Sequence, residues 1–476
     1  MNTRIETDSI GSLEIPMEAY YGVQTLRAKN NFNITGKPLH ATFIKNIALL
    51  KKAAAITNRD ANFLDSDKAV AIISVCDEII EGRLHNQFIV DAIQGGAGTS
   101  ANMNANEVIA NRAIELLGYP KGDYSIIHPN DHVNMGQSTN DIIPTAGKLT
   151  VLELIDPLLL ELNRLHSAFM QKSKEFNTII KMGRTQLQDA VPMTLGQSFH
   201  AYSSVLLRDI NRITDVKKEM QTVNIGGTAI GTSINAHPYY LHNITKNINK
   251  LINQPLSQSD DLIDATQNLD GFVTVSNSLK TLAVNLSKIC NDLRLLSSGP
   301  KTGFAEITLP AKQNGSSIMP GKVNPVIPEV VSQVAFHVIG NDVTISMAAE
   351  AGQLELNAFE PVIFYNLFES LDSLKGAIET LIDNCILGIT ANEEHCRDLL
   401  ESSVGIVTAL CPYLGYKKSA EIAKESLTTC IPVKSIVLRD HLIDDKDLEL
   451  ILDPISLANM DKGCGATLRI KKVASL

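Results

Sequence analysis

The sequence predicts a mainly α protein built around a central bundle of long helices, and three observations carry that prediction. Phe272, Val275, Leu279, Leu282, Leu286, Ile289, Leu293 and Leu296 recur at alternating spacings of three and four, which is a heptad seam. At 1.5 Å rise per residue such a seam is roughly 37 Å long, too long for an ordinary surface helix. Two further stripes precede it at helical spacing: Leu158, Leu159, Leu162, Leu165 and Phe169, then Phe199, Tyr202, Leu206, Ile210, Ile213 and Met220. No stretch sustains period-two alternation, so any sheet is minor. Long helices with few aromatics and no tryptophan build a bundle, and a bundle can extend across subunits.

At 476 residues the chain exceeds one hydrophobic core. A length of this order gives a prior of about two to four domains. The net charge of −10 excludes a general nucleic-acid surface but permits a local ring of donors for an anion. Cys76, Cys290, Cys385, Cys396, Cys411, Cys430 and Cys464 are scattered, odd in number and without a C-x-x-C pair. That usage fits a reducing compartment and argues against a disulfide framework or a structural zinc site. The N-terminus lacks an apolar h-region and no uncharged run approaches a membrane span, so a cytoplasmic protein without a membrane partner is expected.

Along the chain, residues 1–40 mix turn formers with short apolar pieces such as Tyr20-Tyr21-Gly22-Val23-Gln24-Thr25 and read as an irregular arm. From about 41 to 93 the pattern is helical, with Ile47, Leu50, Ala54 and Ile56, then Val70, Ile73 and Ile79-Ile80. Gln94-Gly95-Gly96-Ala97-Gly98-Thr99-Ser100 then leads into a helical run. Glycines and hydroxyls at a helix start present backbone N–H groups to an anion. The G-x-x-x-x-G-K-[ST] pattern is absent and no lysine is near, so a carboxylate fits better than a nucleotide phosphate. His128-Pro129-Asn130-Asp131-His132 reads as a turn whose histidines serve hydrogen bonding, since Pro129 and the Asn/Asp content disfavour two metal ligands on one helical face. Ser138-Thr139-Asn140 ahead of an apolar run is a helix-cap signature. Asp156-Pro157 marks the start of the next helix or a kink in it, and Gly299 closes the seam helix as a C′ glycine. Polar or Gly/Thr-rich interruptions at 181–190 and 226–232 are where a bundle places a site. Shorter helices with a Pro412-to-Gly415 turn follow, and Lys462-Gly463-Cys464-Gly465 with Lys471-Lys472 reads as a loose tail.

One further stretch has no place in a helix or a central strand: Asn314-Gly315-Ser316-Ser317-Ile318-Met319-Pro320-Gly321-Lys322-Val323-Asn324-Pro325. It gathers hydroxyls, an ammonium and an amide with no carboxylate, which suits an anion. Gly315 and Gly321 permit lid movement. A lid over a ligand and a plain surface turn between helices are both compatible with this composition.

Gly98-Thr99-Ser100, Gly183-Arg184-Thr185-Gln186, Ser138-Thr139-Asn140-Asp141 and the Gly-Ser-Ser-x-Met-Pro-x-Lys-x-Asn loop at Gly315–Asn324 together resemble the fumarase/aspartase superfamily of elimination enzymes. The likeness runs from Tyr20 to about residue 455 and, through Gly95–Ser100, Gln137–Asn140 and Gln186, is strongest to its aspartate ammonia-lyases. The resemblance implies a three-domain fumarase/aspartase-like fold: 1–140 N-terminal, 141–394 central helical bundle and tetramer core, and 395–476 a small helical C-terminal domain. It implies a homotetramer whose active sites each combine stretches from three subunits. The implied reaction is reversible anti elimination of ammonia from L-aspartate, giving fumarate through an enediolate. Ser316 matches the general base. Thr99, Ser138, Thr139 and Ser317 match donors to the carboxylate that gathers charge. Lys322, Asn324 and Thr185 match those holding the other carboxylate, and Asn140 matches a contact to the amino group. Gln186 stands where fumarases carry a histidine paired with the carboxylate corresponding to Glu329, and an amide does not exchange protons near neutral pH. No cofactor is implied as required, and activation by Mg2+ is left open. His128-Pro129-Asn130-Asp131 resembles the second dicarboxylate site of fumarases. A class II fumarase acting on malate and an inactive helical scaffold are the alternative functions.

Overall fold

The computed structural model describes residues 2–458, so the expected tail, with Cys464, lies outside the described residues. The chain opens on an antiparallel hairpin of β1 (Thr3–Thr7) and β2 (Ser12–Pro16), followed by α1 (Val23–Asn31). The irregular arm expected here is therefore ordered. Its five-residue strands are too short to display a period, and Ile5 is exposed while Ile15 is buried. Helix α1 has no side-chain cap at Gly22. Instead the carboxylate of Glu107 accepts from the N–H groups of Gly22, Gln24 and Thr25 at 2.8, 2.9 and 3.0 Å. A cap delivered from more than eighty residues away leaves no local trace.

Helices α2 (Ala41–Asp60), α3 (Ser66–Ile80) and α4 (Thr99–Leu116) follow. Between α3 and α4 the expected helical pattern gives way to one short turn at His85–Gln87. Helix α5 (Thr139–Glu175) is the longest, and Pro144 and Pro157 stand inside it, so Pro157 does not begin a helix. Then come the hairpin β3 (Ile180–Thr185) and β4 (Gln188–Thr194), α6 (Leu195–Gln221), β5 (Thr222–Val223), α7 (Pro238–Ile252), β6 (Ser257–Gln258), α8 (Asp264–Gln267) and α9 (Asp270–Leu296). After β7 (Ile307–Thr308) the chain continues through α10 (Val326–Glu350), α11 (Glu360–Asn384), β8 (Thr390–Ala391), α12 (Glu393–Ser402), α13 (Cys411–Thr429), α14 (Val433–Arg439) and α15 (Asp445–Ile451). Each sheet among the described residues has only two strands.

All eight seam positions of α9 are buried, from Phe272 at 0% to Leu296 at 9% exposed. The helix ends at Leu296, and Gly299, with φ +116°, follows three residues later instead of serving as the immediate C′ position. Phe199, Tyr202, Leu206, Ile210, Ile213 and Met220 are buried along α6, as their spacing predicts. Helix α13 runs from Cys411 with a non-helical residue at Gly415, where a turn was expected.

Contacts divide the chain into two compact units. One comprises the chain up to Leu160 with Asp209–Val284 and Val334–Gly376. Here Phe272 of α9 meets Phe364 of α11 edge-on at 5.2 Å, Phe364 stacks on Phe368 at 5.6 Å, and Phe43 of α2 closes on Phe364 at 5.5 Å. The other comprises Glu161–Arg208, Asn285–Gln333 and the chain from Ala377. Phe169, Phe176, Phe199 and Tyr202 cluster there, and the Tyr202 hydroxyl donates to Asp292 at 3.0 Å. A separate core of Leu410, Ile422, Val433, Ile436, Val437, Leu448 and Ile451 fills the C-terminal helices of this unit.

Because the seam is closed to solvent, Leu286→Ala is expected to cost about 2–5 kcal/mol through the cavity it leaves. Lys288→Ala, two residues on and exposed, is expected to change stability by no more than about 0.5 kcal/mol. Thermal denaturation of the two variants side by side checks the contrast.

Candidate active site

In the first unit the site residues are gathered by the starts of α4 and α5. Gly96, Ala97 and Gly98 have positive φ of 87°, 54° and 82°, which turns the chain sharply into α4 at Thr99. Gly98 is required twice over: its φ disfavours a side chain, and a Cβ there would stand 2.8 Å from Ile143 on α5. The Thr99 hydroxyl donates to the Gly96 carbonyl at 2.7 Å, and Gln94 caps α4 by accepting from the Ala101 N–H at 2.8 Å.

Ser138 and Asp141 form a reciprocal capping box at the start of α5. The Ser138 hydroxyl oxygen accepts from the Asn140 N–H at 3.2 Å, and the Asp141 carboxylate accepts from the Ser138 N–H at 2.9 Å. The second carboxylate oxygen accepts from the N–H groups of Gly226 and Thr228 at 3.0 and 3.1 Å. The Gly/Thr-rich loop singled out in the sequence is thus bolted to the Ser-Thr-Asn-Asp turn. Asn140 completes the junction by donating to the Ala229 carbonyl at 2.7 Å, which leaves its own amide oxygen without a partner among the described residues.

Behind this turn lies a buried polar network. The fully buried Lys51 ammonium donates to the Asn134 amide oxygen at 2.7 Å, and Asn102 and Asn106 donate to the same oxygen at 3.2 and 3.3 Å. Asn102 also donates to the Thr139 hydroxyl oxygen at 3.2 Å. Burial pushes the Asp141 carboxyl up to about 6, against its backbone hydrogen bonds and the Lys51 charge. Burial likewise pulls the Lys51 ammonium down to about 7, against the Asp141 charge. Burial thus opposes the charged form of each group, and the other's charge supports it, with hydrogen bonds adding support at Asp141.

In the second unit, Thr185 and Gln186 sit at the tip of the β3–β4 hairpin, where Thr185 pairs with Gln188 and the turn is Gln186-Leu187. Both turn residues have positive φ, 51° and 63°, without the glycine such a hairpin turn prefers. The strand below is anchored by Arg184, whose guanidinium pairs with the fully buried Glu306 and lies 4.4 Å over the Phe304 ring. Lys181 adds its ammonium 2.9 Å from the other Glu306 oxygen.

The 314–325 loop is pinched shut at its base. The Gly315 N–H donates to the Lys322 carbonyl at 3.0 Å, and the Asn324 amide donates to the Gly315 carbonyl at 2.6 Å. Any Cβ at Gly315 would fall 2.3 Å from the Lys322 oxygen, so the neck needs glycine. Within the loop, the Ser316 hydroxyl oxygen accepts from the N–H groups of Ile318 and Met319 at 3.2 and 3.0 Å. Ser317 and Lys322 are exposed.

Thr99, Ser138, Thr139 and Asn140 are thus brought together in one unit, while Thr185, Gln186, Ser316, Ser317, Lys322 and Asn324 belong to the other. No hydrogen bond among the described residues joins the Thr185–Gln186 tip to the 314–325 loop. His128 and His132 hold a turn: His128 accepts from the Asn130 and Asp131 N–H groups, and His132 accepts from the His128 N–H. No group of three or more potential metal ligands occurs among the described residues. A cavity of about 430 Å³ opens beside Gly98, but its walls are mainly Leu39, Phe43, Ile143, Phe364 and Phe368, unsuited to a dicarboxylate. Lys51, Asn102, Asn134 and Glu306 were not singled out from the sequence. A signal existed for one of them: Asn102, Asn104, Asn106 and Asn111 crowd a helix that asparagine disfavours, and all four are buried.

Replacing Asp141 by Asn is expected to lower stability by about 1–3 kcal/mol, because an NH2 group must then face backbone N–H donors. Turnover should fall with it, since Ser138, Thr139 and Asn140 lose their shared anchor. Melting temperature and initial rate, measured on the same preparation, check both.

The profile described as lyase matches residues 11–340, and that described as fumarase C C-terminus matches residues 406–459. Aspartate ammonia-lyase of Bacillus subtilis (strain 168) is 51% identical over 454 residues, covering 95% of this chain and 96% of that protein. Among solved structures, fumarate lyase:delta crystallin from Brucella melitensis bound to cobalt is 51% identical with a TM-score of 0.94, covering 96% of this chain and 100% of that one. Recombinant class II fumarase from Schistosoma mansoni is 34% identical with a TM-score of 0.93, covering 96% of this chain and 99% of that one. With half its residues shared over nearly the whole length, and with the same fold, the chain belongs to the fumarase/aspartase superfamily of lyases.

Proposed function

We propose that this chain is an aspartate ammonia-lyase, catalysing the reversible deamination of L-aspartate to fumarate and ammonia. The observation that carries the reading is the Ser316 hydroxyl held by two backbone N–H groups in the Gly-Ser-Ser loop, in a chain whose full-length relatives bear that name. The proton to be removed lies next to a carboxylate, so its loss builds an enediolate. A serine acts as base only if its ionised oxygen is stabilised, at about 1.4 kcal/mol per pKa unit. The N–H groups of Ile318 and Met319 already point at that oxygen, so they need no reorganisation when charge appears.

The remaining groups divide the labour. Ser138, Thr139 and Ser317 supply donors to the carboxylate on which charge accumulates, and Thr99 joins them when its hydroxyl turns from the Gly96 carbonyl; each such donor is worth about 10²- to 10³-fold in rate. Lys322, Thr185 and Asn324 hold the other carboxylate. Asn324 has one amide hydrogen engaged in the loop neck and keeps the other for this role. The Asn140 amide is fixed by its bond to Ala229, which turns its oxygen, an acceptor, toward a substrate ammonium. Gln186 provides hydrogen bonds without proton exchange, adequate because the substrate's protonated amino group leaves as neutral ammonia, taking the C–N bonding pair with it.

The reading calls on no cofactor, and assays with EDTA and with added Mg2+ decide whether a metal activates. Its structural counterpart is the three-domain division at 1–140, 141–394 and 395–476, supported by the fumarase C C-terminus match falling inside the last. The reading includes a homotetramer with sites shared by three subunits; the exposed apolar row Phe336, Val343 and Met347 on one face of α10 marks a protein interface and supports self-association. Among the described residues no single helix is long and apolar enough to cross a membrane; the reading takes the enzyme as cytoplasmic.

The test follows the absorbance of the fumarate double bond with L-aspartate and then L-malate as substrate. A rise with aspartate alone is expected. A rise with malate alone identifies a class II fumarase, and none with either identifies an inactive scaffold. Ser316→Ala should fold normally by circular dichroism and lose about 10²- to 10⁴-fold in turnover, the usual worth of a general base. Wild-type turnover in that variant overturns the assignment. Sedimentation should give a tetramer.

A further inference from the structure

We propose that Asn102 is a positioning residue that sets the direction in which Thr139 donates, its own orientation set by Asn134, which Lys51 and the Gln137 carbonyl hold from either end. The inference rests on the reading above, in which the Thr139 hydroxyl grips a substrate carboxylate.

A threonine hydroxyl can donate or accept, and it rotates to suit its neighbours. A lysine ammonium can only donate. Lys51 is fully buried and aims at the Asn134 side chain, so the atom of Asn134 that faces it must be the amide oxygen. The other end of Asn134, its NH2 group, donates to the Gln137 carbonyl at 3.1 Å, which fixes the same orientation independently. Asn102 approaches that oxygen at 3.2 Å and must therefore present NH2 to it, since two amide oxygens repel. That NH2 group has a second hydrogen, and the Thr139 oxygen lies 3.2 Å away. Thr139 consequently accepts from the interior, and its own hydrogen has no acceptor among the described residues. It is left to point at whatever occupies the site.

The orientation is not the one Asn102 would choose alone. Its amide oxygen is buried and finds no hydrogen-bond partner. The network leaves that acceptor unsatisfied and keeps NH2 on both Asn134 and Thr139. The orientation of Asn134, fixed at both ends, thus propagates through Asn102 into a fixed donor direction at the site.

The test is a double-mutant cycle between positions 102 and 139. Asn102→Asp is nearly isosteric but presents only acceptors when ionised, so the Thr139 hydroxyl turns inward to donate to it. We expect kcat to fall about 10²- to 10³-fold, the worth of one donor aimed at developing charge, with a smaller change in KM. Thr139→Val should fall by a similar factor. In the Thr139→Val background, Asn102→Asp should cost little more, because its route to the substrate is already cut. Independent, multiplicative losses overturn the proposal, as both a generally weakened fold and simple repulsion of substrate by the new charge would persist without the hydroxyl. Wild-type kcat in Asn102→Asp with an impaired Thr139→Val also overturns it. Wild-type turnover in Thr139→Val instead sinks the assignment of Thr139 on which the proposal rests. Should Asn102→Asp not fold, Asn102→Ala in the same cycle decides: a loss of about tenfold that vanishes in the Thr139→Val background supports the proposal, and one that persists overturns it.

Discussion

The candidate site residues of the first unit depend on one carboxylate. Asp141 is fully buried and takes three backbone N–H groups, from Ser138, Gly226 and Thr228, so that two loops nearly ninety residues apart become one rigid piece. Burying an anion is expensive, and hydrogen bonds plus the buried Lys51 cation offset that cost only in this arrangement. The consequence is positional. Ser138, Thr139 and Asn140 are held by the carboxylate that ends their own turn, and Asn140 is locked further by the loop on the other side of the junction. Local secondary structure, interior electrostatics and site geometry are here one set of contacts.

The second unit reaches rigidity differently. Arg184 and Lys181 converge on Glu306, which lies in the chain leading toward the 314–325 loop, while Arg184 also adjoins Thr185 at the hairpin tip. A Gln186-Leu187 turn with two residues at positive φ is a backbone the chain adopts at a cost of the order of 1–3 kcal/mol each. Strain of that kind persists where the strands beneath are fixed, and the ion cluster under the hairpin fixes them.

How much of this was legible in the sequence follows from range. The heptad seam of α9 and the stripe of α6 were readable because burial there repeats with the helix period, and every such position is buried. The Ser138 cap was readable because its partner Asp141 lies three residues on. The hairpin at β1–β2 and the start of α1 were not, since the strands are short and the capping Glu107 comes from a distant helix. The site residues were reached through resemblance of four motifs, whereas the residues that hold them were not. Lys51 sits in an ordinary-looking helix, and nothing local says that its ammonium points inward at an asparagine. Only the crowding of asparagines on α4 hinted at a polar interior.

The pinched base of the 314–325 loop bears on how that segment can travel. With Gly315, Lys322 and Asn324 tied to one another, the residues between them form a closed ring whose internal geometry does not depend on where the ring is. Any swing must therefore occur outside the neck, toward Pro325 on one side and Asn314 on the other. The serine oxygen and the two amides that cradle it then ride as cargo in a single parcel. A displacement of the neck would therefore carry the oxygen and its two donors together, with their spacing kept.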